Sequence, residues 1–187
     1  MEPRLPALDP SQASDAQRAV LNAILTGPRG NLDGPFLSWI HSPELARRAQ
    51  ELGAFCRYDS GLPLRLSEFA ILCTAARWRS QAEWHIHYPI GVKAGLSVDM
   101  LETIRTGKSP EISDAYEALV WRLVSELYDL KRITEATYQD AIARFGTEVL
   151  VNLIGLLGYY ALVAMTLNVF HVSAQGQREL PFEPEGL

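Results

Sequence analysis

Residues 66–97 read LSEFAILCTAARWRSQAEWHIHYPIGVKAGLS, and this stretch predicts two consecutive helices. Its first part, from Leu66 to Trp78, predicts a helix that is almost surrounded by protein, with Glu68 near its start. A buried glutamate needs a partner, because an isolated charge in a protein interior is costly. Ser80 is typical of a helix N-cap, and the helix that it opens should end at Gly95.

The second of these helices carries Glu83 and His87, which lie one helical turn apart and therefore on one face. A carboxylate there can accept from the imidazole and stabilise its charged form, so we expect a proton-handling site. An ordinary surface pair has the same spacing. His85 should point to the opposite side of the helix, away from a pocket that holds Glu83 and His87. Pro89 removes a backbone donor and predicts a kink or a shortened helix at this point.

The rest of the chain also has helical spacing, with no sustained alternation of apolar and polar residues, so we expect an all-α protein. A first helix should run from Ser11 to Thr26, and a loop with one or two helical turns should follow at Asn31 to Ile40. Later helices should begin at residues that suit an N-cap, namely Ser42, Ser97, Ser113, Thr134 and Thr147, and the helix from Thr134 should stop at Gly146.

Length and composition indicate one soluble domain. The chain has 187 residues, of which 48% are hydrophobic and 21% charged. A formal net charge of −5 without a cluster of Lys or Arg argues against nucleic acid as a partner. The first residues lack the features of a signal peptide, so we expect a cytoplasmic protein. Cys56 and Cys73 are far apart and form no CxxC motif, so both should be reduced, buried thiols.

Residues 149–170 are uncharged and long enough to cross a membrane. Asn152, Thr166 and Asn168 lie within them, and no basic cluster flanks them. We therefore favour a core helix that other helices or a second subunit cover, and no membrane partner.

The stretch quoted above resembles the carboxymuconolactone decarboxylase family, which includes the alkylhydroperoxidase D-like proteins. The resemblance rests on Glu68, on Arg77 and Trp78 at the bend, on the Glu83 and His87 pair and on the closing AGLS. It implies an alkylhydroperoxidase D-like helical bundle and a homo-oligomer, either a trimer or a hexamer. The single domain 1–187 would comprise an N-terminal extension 1–44, a family-like core 45–128, and C-terminal helices with a tail at 129–187.

In the peroxidase branch of this family, a CxxC pair, a histidine and a glutamate form the site. Glu68 matches the glutamate and His87 the histidine, whereas Ser80 and Glu83 stand at the two cysteine positions. A peroxidase cycle needs a reactive thiolate, which neither residue can provide. The resemblance therefore favours the decarboxylase branch over peroxidase (peroxiredoxin) activity.

The decarboxylase branch implies a cofactor-free lyase that acts on a small cyclic carboxylate, with Glu68, Glu83 and His87 as catalytic residues and no metal. His87, charged through Glu83 or Glu68, is the candidate acid. The candidates for substrate binding are Ser80, Trp84 and two arginines, Arg77 and Arg79, while Arg57 and Arg65 are further candidates for a carboxylate clamp. Trp84 equally suits the core or a subunit interface. A non-catalytic oligomeric binding protein is the alternative to an enzyme.

Overall fold

The structure, a computed structural model, describes residues 2–9 and 11–183, which form eight α-helices and no β-strand. The prediction of an all-α protein is confirmed for these residues. A π-helical turn, Phe55–Asp59, extends the third helix. The helices are α1 Asp15–Thr26, α2 Phe36–Trp39, α3 Pro43–Ala54, α4 Leu64–Arg77, α5 Gln81–Lys93, α6 Val98–Arg105, α7 Ala115–Leu130 and α8 Glu135–Phe170.

Short polar side chains cap the starts of four of the eight helices in the described part of the chain. The hydroxyl oxygens of Ser97 and Thr134 accept from backbone N–H groups of the first turns of α6 and α8, as the sequence predicts. Two helices start later than predicted, because Ser14 caps α1 and Asp114 caps α7. Gly146, with φ 75° and ψ 170°, interrupts α8 at the predicted position and separates residues 135–145 from 147–170.

Helix α4 lies at the centre of the fold. Every residue from Leu66 to Ala75 is buried, and α4 contacts α5, α6, α7 and α8. Gly91 lets α5 approach α4 closely, because a Cβ there would lie 2.9 Å from the Cδ1 atoms of Leu72 and Leu96. His87 precedes Gly91 by one turn on the same face of α5, so this close packing also brings the imidazole to α4.

Pro89 does not end its helix, since α5 continues through it to Lys93. The expectation of a shortened helix is therefore wrong. Proline removes one backbone donor, but α5 packs on α4 and α8 along its length, and tertiary packing of this kind outweighs a local loss of helix stability.

Helix α8 has one buried and one exposed face. Leu153, Leu156 and Tyr160 are buried, whereas Val151 and Val169 are exposed. By length and composition alone α8 could cross a membrane, and 50% of its most apolar 18-residue window is buried inside the subunit. It packs against α3, α4, α5 and α7, as expected for a core helix. Self-association through the exposed face, and a cytoplasmic location, stay predictions.

Candidate active site

The structure joins Glu68 of α4 to His87 of α5. The Nδ1 atom of His87 lies 2.7 Å from Oε2 of Glu68, and both side chains are buried. A carboxylate oxygen accepts, so Nδ1 carries the proton and Nε2 is the nitrogen left for the cavity described below. This contact explains why a glutamate is buried in α4, where every residue from Leu66 to Ala75 is buried.

Glu83 lies on the same helix as His87 but makes no hydrogen bond to it. The side chain is 1% exposed, and neither carboxylate oxygen has a hydrogen-bond partner among the described residues. Burial raises the pKa of the Glu83 carboxyl well above its usual value of 4.5. At neutral pH Glu83 is therefore a protonated acid, and the expected contact between its carboxylate and the imidazole is absent.

The imidazole of His87 is neutral for a related reason. Burial lowers the pKa of His87, and this effect exceeds the opposing hydrogen bond to Glu68. The expectation of a charged His87 at neutral pH is therefore wrong. The edge of the Tyr160 ring also packs against the imidazole, with ring centroids 5.1 Å apart and planes at 89°. Burial keeps Tyr160 neutral, because it raises the pKa of the phenol well above the usual range.

A cavity of about 330 Å³ lies beside these groups. Its wall comes from five separate parts of the chain: the segment from Arg29 to the start of α2, the π-helical turn, helix α5, the second half of α8, and residues 174–175. The side chains used below are Arg29, Arg57, Glu83, His87, Tyr159 and Tyr160. The cavity therefore depends on residues outside the range 45–128 that carries the resemblance.

Two guanidinium groups line this cavity. The Nε atom of Arg57 lies 3.9 Å from Oε1 of Glu68, and the Cζ atom of Arg29 lies 5.0 Å from the centre of the Phe36 ring. Arg57 is one of the four arginines that the sequence suggests for a carboxylate clamp. Arg29 was missed, because the sequence identifies its Gly-Pro-Arg-Gly turn only as the end of the first helix. The sequence did contain a signal for Arg29, since this arginine lies between helix breakers and a few residues before the aromatic Phe36.

Three other arginines are not brought to the cavity. Arg77 forms an ion pair with Asp129, and Arg79 donates to the carbonyl oxygen of Glu183. Both line a separate cavity on the other side of α4. Arg65 is paired with Asp114 and Glu117. The predicted role of Arg77 and Arg79 in binding a substrate beside His87 does not match their positions.

Trp84 and Ser80 are also placed away from this cavity. Trp84 is buried, with its ring 6.0 Å from that of Tyr88 and 5.5 Å from that of Phe182 between centroids. This is the packing role that the sequence left open. Ser80 occupies the N-cap position of α5, but its buried hydroxyl caps no backbone N–H group and has no partner among the described residues.

His85 borders the same cavity as His87 and Glu83, contrary to the expectation that it points away. His85 is partly exposed, whereas His87 is buried. The cavity wraps around α5, so residues on two sides of the helix can reach it. His87 is the histidine with a buried carboxylate partner.

The two cysteines are buried and free, as predicted. Burial raises the pKa of both thiols, and the effect is larger for Cys73, which lies in the middle of α4. Neither side chain lines the cavity beside His87. In the described part of the chain, no group of three or more His, Cys, Asp or Glu side chains is placed to hold a metal ion.

Comparison of the chain with protein families, with curated proteins and with solved structures gives no match. Membership of the carboxymuconolactone decarboxylase family therefore stays a prediction.

Proposed function

We propose that this protein is a cofactor-free lyase of the carboxymuconolactone decarboxylase type, which acts on a small cyclic carboxylate by proton transfer. The observation that carries the proposal is Glu83, a buried carboxylic acid that lines a cavity beside a neutral imidazole. A buried polar group without a partner costs about 1–3 kcal/mol, and such an arrangement is typical of a functional site. Glu68 fixes the tautomer of His87 through Nδ1.

The reaction needs one proton donor and no redox chemistry. The bond between the ring carbon and its carboxylate breaks, carbon dioxide leaves, and the electron pair passes into the conjugated lactone. Glu83 then donates its proton to the carbon of the conjugated lactone that receives this electron pair, and its own carboxylate takes a proton from solvent. The Nε2 atom of His87 can accept a hydrogen bond from the substrate or pass that proton on. Each turnover consumes one proton and releases one molecule of carbon dioxide.

The two alternatives have less support. Peroxidase activity needs a thiolate, and the thiols of Cys56 and Cys73 are buried with raised pKa values. A purely structural role for the cluster predicts satisfied hydrogen bonds. Instead, Oε1 of Glu68 and both carboxylate oxygens of Glu83 are buried without a hydrogen-bond partner among the described residues.

The test is to incubate the purified protein with carboxymuconolactone, in the presence of a chelator and without thiol, and to follow ultraviolet absorbance. We expect turnover that falls by about 10²–10⁴-fold in Glu83→Gln and in His87→Asn. Glu148→Gln is the matched control, because Glu148 is exposed on α8, and it should retain full activity. Wild-type turnover no faster than in buffer would remove the proposal.

A second variant separates catalysis from packing. Glu68→Gln should reduce the rate, because it removes the acceptor that orients the imidazole. If Glu68→Gln lowers the melting temperature of an active protein but leaves the rate unchanged, the Glu68 and His87 pair only stabilises the fold.

A further inference from the structure

The cavity beside His87 contains buried donors that the protein itself does not use. The Nε and Nη2 atoms of Arg29 and the Nε atom of Arg57 are buried and have no hydrogen-bond partner among the described residues. Guanidinium groups in protein interiors are normally paired, because unpaired buried charge is costly. Arg57 has the carboxylate of Glu68 at 3.9 Å, and Arg29 lies beside the ring of Phe36 and the phenol of Tyr159, so an anionic ligand in the cavity would supply an acceptor at hydrogen-bond distance.

Both guanidinium groups act on one region of the cavity. Their positive charges lower the pKa of His87 and also oppose the rise in the pKa of Tyr160. Arg29 and Arg57 thus both act on the imidazole and the phenol with which they line the cavity.

The charges of this region favour an anion. Glu68 is the acidic side chain near Arg57, at 3.9 Å, so the two arginines exceed it by one positive charge. Glu83 is neutral, and Asp33, which also lines the cavity, is exposed to solvent. An anionic group between the guanidinium groups would remove this imbalance and accept from their free N–H groups.

Gly53 of α3 leaves space for two neighbouring side chains. A Cβ at this position would lie 2.1 Å from Oη of Tyr159 and 2.5 Å from Nη2 of Arg29. Gly53 thereby makes room for Tyr159 and for the Arg29 side chain, both of which line the cavity. The N-terminal segment is thus packed into the site rather than attached beside it.

We propose that Arg29 and Arg57 form a two-arginine clamp for the carboxylate of a small cyclic ligand, which places its ring against His87 and Tyr160. Arg29 comes from the N-terminal extension and Arg57 from the π-helical turn, so the clamp closes only when these two parts of the chain are docked together. A guanidinium group recognises a carboxylate by charge and by paired N–H donors, which a neutral amide cannot match. This inference rests on the proposed function, from which it takes the small cyclic carboxylate as the ligand. It concerns the binding of that ligand and not its turnover.

The experiment measures binding of benzoate and of benzamide by calorimetry at neutral pH, with the full chain. Benzoate should bind at least 10-fold more tightly than benzamide. Arg29→Gln and Arg57→Gln should each weaken benzoate binding by about 10- to 100-fold and leave benzamide binding unchanged. Arg48→Gln is the matched control, because Arg48 is exposed on α3 and paired with Glu44, and its benzoate affinity should be that of the wild type.

Four further variants keep the result interpretable. Gly53→Ala should weaken benzoate binding, whereas Gly155→Ala, where an added Cβ meets no described atom within 4 Å, should not. His87→Asn should bind benzoate while losing turnover, so failure of the proposed reaction and failure of the clamp give different results. Arg29→Lys retains the charge and should recover part of the benzoate affinity. Equal affinity for benzoate and benzamide, or unchanged benzoate affinity in a folded Arg29→Gln protein, would overturn the clamp.

Discussion

Replacement of Glu83 by Gln should make the protein more stable at neutral pH, and the gain should grow as the pH rises. The ordinary pKa of a glutamate is 4.5, and burial raises the pKa of Glu83 well above that value in the folded state. Above pH 4.5 the unfolded chain releases this proton while the folded chain keeps it, so the unfolded state is favoured. The free energy of unfolding of the wild type thus falls by about 1.4 kcal/mol per pH unit relative to the variant. The difference keeps growing up to the pKa of Glu83 in the folded protein.

His87 acts in the opposite direction, since its pKa is lowered from 6.5 and its contribution to stability is lost as the pH falls. This effect is common to the wild type and the Glu83→Gln variant, so it cancels in their difference. The measurement is urea unfolding of both proteins at several pH values from 5 to 8, with Glu148→Gln as the exposed control. The pH at which the difference stops growing gives the pKa of Glu83 in the folded protein. A difference that stays constant over this range would show that Glu83 is ionised in the folded protein and would refute the reasoning.

The remaining predictions concern packing, the thiols and association. Gly91→Ala should lower the free energy of unfolding by about 1–3 kcal/mol, because the added Cβ would lie 2.9 Å from Leu72 and Leu96. Gly158→Ala is the control and should not lower it, because a Cβ there meets nothing within 4 Å in the described structure. Equal effects of the two changes in urea unfolding would contradict this prediction. Cys56→Ser and Cys73→Ser should leave peroxide consumption unchanged, and a decrease in either variant would assign peroxidase activity to that thiol. The exposed apolar face of α8 should support self-association, so a monomer in light scattering would refute this prediction.

The centre of the site was largely predictable from the sequence. Glu68 stands out as an acid in an apolar helix, and it requires a partner wherever that helix packs. His87 was the residue most suited to this role on the next helix, and the structure places the two side chains in contact. Helix starts at Ser97 and Thr134 were predictable for the same local reason, since a hydroxyl at these positions satisfies free backbone donors.

Other features depend on packing that local spacing does not encode. Residues four apart on a helix share a face, but this spacing does not show how deeply the two side chains are buried. Burial favours the protonated form of Glu83 and the neutral form of His87, so the two do not form an ion pair. Arg29 reaches the cavity only because the segment after α1 folds back over α3, a contact between residues far apart in sequence. Arg77 lies close to the site helix in the sequence, yet it is on the opposite side of α4. Proximity along the chain therefore did not predict which arginines line the cavity beside the imidazole.

The walls of the cavity differ in how firmly they are held, and this should govern how a ligand enters. Glu68 lies in a helix whose residues from Leu66 to Ala75 are all buried, so its amides should exchange with solvent only when the whole domain unfolds. Arg29 lies on a connecting segment with exposed neighbours, which can open at a much lower free energy. Release of this segment would admit the ligand without disturbing the proton-transfer groups. For the proposed reaction, the rate of opening rather than the rate of the chemical step would then set the turnover.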